Sequence, residues 1–190
     1  GMRVPFVVSG GRSALSFSPM QLPPRYHEII WPLIEKAKGI LEKGESLSPL
    51  AFVGNFETGQ VVPILIDTLD DSRKDASAVA IRLAAESMAA DYVFTVIEGW
   101  GLPKDKMLKY EEIIERYGSI GASPYKIDTA NFMLETRYGV WGAQVPLKFK
   151  TPSKKRRTFA APVALIFMDG VEGRFAGLLP ARHEGGANLH

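Results

Sequence analysis

Apolar residues recur along this chain with two different periods, and the places where the period changes mark out its elements. Over residues 25–43, Ile30, Leu33, Ile34, Ala37 and Leu41 return every three or four positions, which predicts a helix ended by Gly44. Pro32 lacks a backbone donor, so that helix is expected either to kink near Trp31 or to begin there. Residues 50–56 and 60–67 read as two strands joined through Glu57, Thr58 and Gly59. The second carries Pro63, which cannot donate to a ladder, and is therefore expected at an edge or a bulge. Ser72 then caps the strongest helical pattern, in which Ala76, Val79, Ala80, Leu83, Ala84 and Met88 form one apolar stripe.

Residues 92–97 are an almost unbroken apolar and β-branched run, the pattern of a central strand buried on both faces. Met107, Tyr110, Ile113, Ile114 and Tyr117 predict a helix over 104–117, closed by Gly118. Beyond it the period drops to two, with Ala130, Phe132, Leu134 and Tyr138 on one side of Gly139 and Trp141, Ala143, Val145, Leu147 and Phe149 on the other. Asp169 and Gly170, between residues 162–168 and 171–179, signal a last hairpin. This order predicts one α+β domain over residues 25–180, with a largely antiparallel sheet of about seven strands, one β-α-β crossover and three helices. Residues 1–24 read as an irregular N-terminal arm and 181–190 as a C-terminal tail.

Composition narrows the chemistry. With 46% hydrophobic and 23% charged residues the chain is globular rather than disordered, and its 190 residues suit a single domain. The absence of cysteine removes disulfides, thiolate nucleophiles, iron–sulfur clusters and cysteine-based zinc sites together. No apolar run approaches the roughly 20 residues that cross a bilayer, so a soluble, cytoplasmic protein is expected. The three histidines, His27, His183 and His190, are poor material for a catalytic base, because two of them lie at the end of the chain. Residues 54–59 hold the two glycines of a P-loop, but Gln60 and Val61 stand where Lys and Ser or Thr are needed. Ser123 is followed by Pro124, which has no N–H for an oxyanion hole.

Four groups of residues remain as candidates. If the helix after residue 72 sets strands 60–67 and 92–97 side by side in parallel, Asp67 and Glu98 meet at their carboxyl ends with Asp70, Asp71 and Lys74 nearby. Asp67, Asp71 and Glu98 would then hold Mg²⁺ or Mn²⁺ through oxygen ligands, with Lys74 and Glu98 as candidate catalytic groups of a hydrolase or nuclease. The plain alternative is that these acids favour a helix N-terminus. Glu98 and Trp100, set between Gly99 and Gly101, have the makings of a ligand-pocket wall. Lys148, Lys150, Lys154, Lys155, Arg156 and Arg157, with Phe149 among them, form the one concentrated run of positive charge, suited to the phosphates of a nucleic acid. The net charge of +2, from 23 basic and 21 acidic residues, does not by itself demand such a partner. Finally, the strand bearing Trp141, Val145 and Phe149, with an edge implied by Pro146, offers a surface for a second copy. None of these reaches the specificity of a catalytic signature. The leading expectation is a protein acting through binding or self-assembly as a homodimer, with the metal-dependent hydrolase and the nucleic-acid-binding module as rival classes.

Overall fold

A computed structural model describes residues 21–180; the expectations for residues 1–20 and 181–190, including His183 and His190, lie outside them. The elements run α1 (Pro24–Glu42), β1 (Leu50–Gly54), β2 (Val61–Leu65), α2 (Asp71–Ser87) and β3 (Tyr92–Gly101). A 3₁₀ turn at Lys104–Lys109 then leads into α3 (Tyr110–Tyr117), followed by β4 (Ile127–Thr136), β5 (Gly139–Phe149), β6 (Arg157–Phe159) and β7 (Ile166–Met168). The strands form one antiparallel sheet in the order β2-β1-β3-β4-β5-β6, with β7 also pairing β5. The chain is a single α+β domain, and among the described residues no helix is long and apolar enough to cross a membrane.

Each face of the sheet has its own cover. On one, α1 buries Tyr26, Ile30, Ile34, Ala37 and Leu41 against Tyr92, Phe94, Val96, Phe132, Leu134 and Val145. This helix neither begins nor stops at Pro32. It starts at Pro24, whose fixed φ suits a first helical position, and it carries Pro32 inside on an exposed side, where water is at hand for the carbonyl left without a donor. On the other face, α2 sets Ala78, Ile81 and Ala85 against Ala51, Val53, Val93 and Ile97, and Phe175 and Leu178 complete the layer.

The face that α2 buries is not the expected one. Ala76, Val79, Ala80 and Leu83 are exposed, Val79 by 51% and Leu83 by 61%, while Ile81 is fully buried. Alanines sit all around this helix, so its apolar pattern indicates no single side. Tertiary anchors decide instead: Ser77 Oγ accepts the Asp67 N–H at 2.9 Å, and Arg82 donates to the carbonyls of Arg174, Ala176 and Gly177, holding the segment that carries Phe175 and Leu178. The cap is Asp70 rather than Ser72, its carboxylate accepting from Arg73 N at 2.8 Å.

Pro63 does sit on an edge, and its position there has a reason. Asn55 N donates to Gln60 O and Ile66 N to Pro49 O, so by antiparallel alternation residues 60, 62, 64 and 66 face β1 with their hydrogen-bonding groups, while 61, 63 and 65 face outward. The donor that Pro63 lacks is thus one the ladder with β1 does not use, and its loss blunts the open edge against a further strand. The last hairpin is half formed. Gly170 turns the chain at φ 63°, but residues 171–179 form no strand, and β7 returns instead to Val140, Trp141 and Gly142 of β5. Residues 104–117 are helical as expected, but their first turn is 3₁₀ and only Ile113 is buried.

Tyr92 fills the space above Gly54, where any Cβ would overlap its ring, and its hydroxyl has no hydrogen-bond partner among the described residues. Burial pushes its phenol up to about 12, with the Asp91 charge adding to the effect. The folded state therefore holds this proton more tightly than the unfolded chain does. Its contribution to stability is intact below pH about 10 and falls away as pH rises from about 10 to about 12. Denaturant unfolding of Tyr92→Phe should show a gain of about 1 kcal/mol at neutral pH, because an unpaired buried hydroxyl is removed, and a flatter decline in alkali. Similar measurements should find Ile81→Ala costing about 2–5 kcal/mol but Leu83→Ser within about 0.5 kcal/mol of the parent, the reverse of what the stripe in the sequence implies.

Candidate polyanion-binding hairpin

Glu98 extends β3 past Val96 on the face that α1 covers, and its carboxylate is fully engaged. Arg157 of β6 grips it with two parallel bonds, Nη1 to Oε2 at 3.1 Å and Nη2 to Oε1 at 3.0 Å, and Leu47 N donates to Oε1 at 2.7 Å. Asp128 adds a second carboxylate 3.6 Å from Arg157 Nη1. The Arg157 side chain is only 13% exposed and that of Glu98 24%, so solvent screens this pair less than a surface bridge. It ties the root of the β5–β6 hairpin to the centre of the sheet.

The hairpin above that tie is held by its own backbone. Lys150 N donates to Arg156 O at 2.8 Å and Ser153 N to Lys150 O at 2.9 Å, while Ser153 Oγ accepts from Lys155 N at 3.2 Å and Arg156 N at 3.0 Å. The Thr151–Pro152 bond in this tip is cis. One side of the hairpin leans on the end of α1: Lys150 Nζ lies 3.0 Å from Glu42 Oε2, and Thr158 Oγ1 donates to the same oxygen at 3.2 Å. The hydrogen bond from Lys150 holds the Glu42 carboxyl below its ordinary value. The stems of Lys155 and Arg156 lie against Gly44, just past the helix. The last turn of α1 has no basic residue of its own, so the tip brings positive charge to a helix end where free carbonyls favour it.

Lys43, Lys148, Lys150, Lys154, Lys155 and Arg156 consequently share one end of the molecule, all exposed, with Phe149 exposed by 54% between two of the lysines. Of the basic run expected to contact phosphates, Lys154, Lys155 and Arg156 present their charges outward. Arg157 does not, because its guanidinium neutralises Glu98. Lys43 joins this group from outside the basic run, and a lysine more than 100 positions away carries no sign of that in the sequence.

The remaining candidates are dispersed. Both β2 and β3 run antiparallel to β1, which lies between them, so they share a direction but are not neighbours. Their ends are two strand spacings, about 9–10 Å, apart. Asp67 lies 3.4 Å from Arg73, Asp71 lies 3.4 Å from Arg174, and Glu98 belongs to Arg157. Among the described residues no group of three or more His, Asp or Glu side chains is placed to hold a metal ion. The site of Asp67, Asp71 and Glu98 for Mg²⁺ or Mn²⁺ therefore loses its geometric premise, and Lys74 sits in the first turn of α2 with no such centre to serve. Trp100 lies across Gly121, with Lys126 Nζ 4.7 Å from the centre of the ring. It stacks on the protein's own backbone, and the Glu98 carboxylate beside it is already paired.

The surface expected for a second copy is also corrected. Trp141 and Val145 are 1% and 2% exposed, and β5 has no open edge there: β7 takes its first half and β6 its second, with Ala160 N bonded to Pro146 O at 2.7 Å between them. Comparison with protein-family models, curated proteins and solved structures finds no match. Replacing Arg157 by Met leaves Glu98 with a single donor in a partly dry setting. It should lower stability by about 2 kcal/mol, and amide exchange should quicken in the hairpin before it quickens in β3.

Proposed function

We propose that this chain is a binding protein for single-stranded nucleic acid, with the β5–β6 hairpin tip and the end of α1 as its contact surface. The observation that carries this reading is the exposed Phe149, flanked by exposed Lys148 and Lys150 and crowned by Lys154, Lys155 and Arg156 on a braced hairpin. Cations alone favour any polyanion. An aromatic face among them favours a strand whose bases are unstacked and free to lie on it. A rigid tip suits the task, because side chains already held apart lose less freedom when the ligand arrives.

The two parts of such a surface leave separate signatures in fluorescence-anisotropy titrations with short single-stranded oligonucleotides. The combined Lys154→Ser, Lys155→Ser and Arg156→Ser variant should bind more weakly and lower the slope of log affinity against log salt by about 2, as expected for three lost phosphate contacts. Phe149→Ala should weaken binding by roughly tenfold or more while leaving that slope unchanged. Parent protein that prefers duplex to single strands, or a Phe149→Ala variant that binds as well as the parent, would overturn the reading.

A further inference from the structure

At the opposite end of α1 a second site is assembled from four separate stretches of chain. An open cleft of about 560 Å³ lies between Pro23, Arg25 and Tyr26 at the start of α1, Asn55, Phe56 and Glu57 in the β1–β2 turn, Ala89 and Asp91 after α2, and Arg137 and Tyr138 in the β4–β5 turn. Its walls are held from behind. Asn55 Nδ2 donates to the carbonyls of Met88 and Ala89 at 2.9 and 3.0 Å, and Asp91 Oδ2 accepts the Phe56 N–H at 2.5 Å, so the β1–β2 turn and the end of α2 are one unit. Ala89 takes a left-handed conformation at φ 47°, uncommon for a residue with a Cβ, and lines the cleft.

Two arginines line this space, each close to an aromatic ring, and the Asp91 carboxylate, turned to the Phe56 N–H, adds a negative charge within the field of Arg137. The Arg25 guanidinium lies 3.9 Å from the centre of the Phe56 ring and that of Arg137 lies 4.7 Å from the centre of Tyr138, whose hydroxyl accepts from Arg137 Nη2. Among the described residues neither arginine makes an ion pair, whereas Arg73, Arg157 and Arg174 all do. A guanidinium lying on a ring keeps N–H groups along its edge for a partner in its own plane, the arrangement that takes a phosphate or carboxylate in two parallel bonds. Tyr138 is 46% exposed and offers a stacking surface, and Glu57 supplies an acceptor on the rim.

We infer that this cleft binds a nucleoside monophosphate: the arginines take the phosphate, Tyr138 stacks the base, and the acidic rim accepts from a ring amino group or a sugar hydroxyl. The volume is that of a site for one small ligand. The inference is independent of the hairpin, which lies beyond the far end of a 19-residue helix, about 28 Å away.

Calorimetric titration of the intact chain with AMP, GMP, CMP and UMP, beside the matching nucleosides and inorganic phosphate, tests it. At least one mononucleotide should bind tenfold or more tightly than either its nucleoside or phosphate alone. Arg25→Lys and Arg137→Lys, which keep the charge but not the fork, should each weaken that binding about tenfold with unchanged melting temperatures, and the hairpin variant with three serines should bind as the parent does. No saturable binding by any of the four mononucleotides at about millimolar concentration would overturn the inference. So would equal affinity for nucleotide and inorganic phosphate, or a loss in the hairpin variant matching that in the arginine variants. The oligonucleotide and mononucleotide results can fail separately, because each reports on its own end of the protein.

Discussion

A strand that is apolar on both sides has to be covered twice, and β3 imposes that demand on everything around it. Tyr92, Phe94 and Val96 point to one layer and Val93, Thr95 and Ile97 to the other, and all six are buried. On the first side α1 supplies five buried side chains, joined by Leu47 and bordered by Phe159, Val163 and Leu165. On the second, α2 is poor in large apolar side chains, and Phe175 and Leu178 from the end of the domain supply the missing volume. Polar pins keep that end in place: Arg82 on three carbonyls, and Glu135 accepting from Leu178 N at 2.8 Å. Burial raises the Glu135 carboxyl, opposed by those backbone donors and by Arg82.

The same sheet separates the charges of a chain whose total is nearly balanced. The acids around the start of α2 and the end of β3 are distributed among arginines: Asp67 to Arg73, Glu98 to Arg157, and Asp71 and Asp75 to Arg174. Most of these pairs are exposed and contribute little stability, and none draws on the lysines of the β5–β6 tip, which meet Glu42 through Lys150. The partition of β5 between two partners produces this result. Because β7 occupies the first half of its edge, only the second half is available to β6, and the tip is carried out over the end of α1. Local charge, rather than the net +2, is what a ligand meets.

Much of the fold could be read from residue patterns, and the failures share a cause. The α1 stripe, the hairpin with Pro63 at its edge, the doubly buried β3 and the paired strands around Gly139 are all present, because each rests on a period that large apolar residues make unambiguous. In α2 the alanines fit either side, and the wrong face is inferred. Asp169 and Gly170 encode a turn, but a strand after a turn also needs an edge to join, and residues 171–179 pack on α2's layer instead. The carboxylate site fails for a similar reason: a crossover helix brings two strands into the same direction, and nothing local says that β1 is inserted between them.

By itself the sequence determined the kind and order of the main helices and strands, that the sheet is largely antiparallel, and that cysteine chemistry is absent. These follow from composition and from contacts a few residues apart. Only the tertiary structure decided which face of α2 is inside, that Glu98 belongs to Arg157, that Lys43 joins the hairpin lysines, and that Arg25 and Arg137 share a cleft. Each of those depends on groups distant in the chain meeting in space. A period specifies that a side chain is covered, but not what covers it.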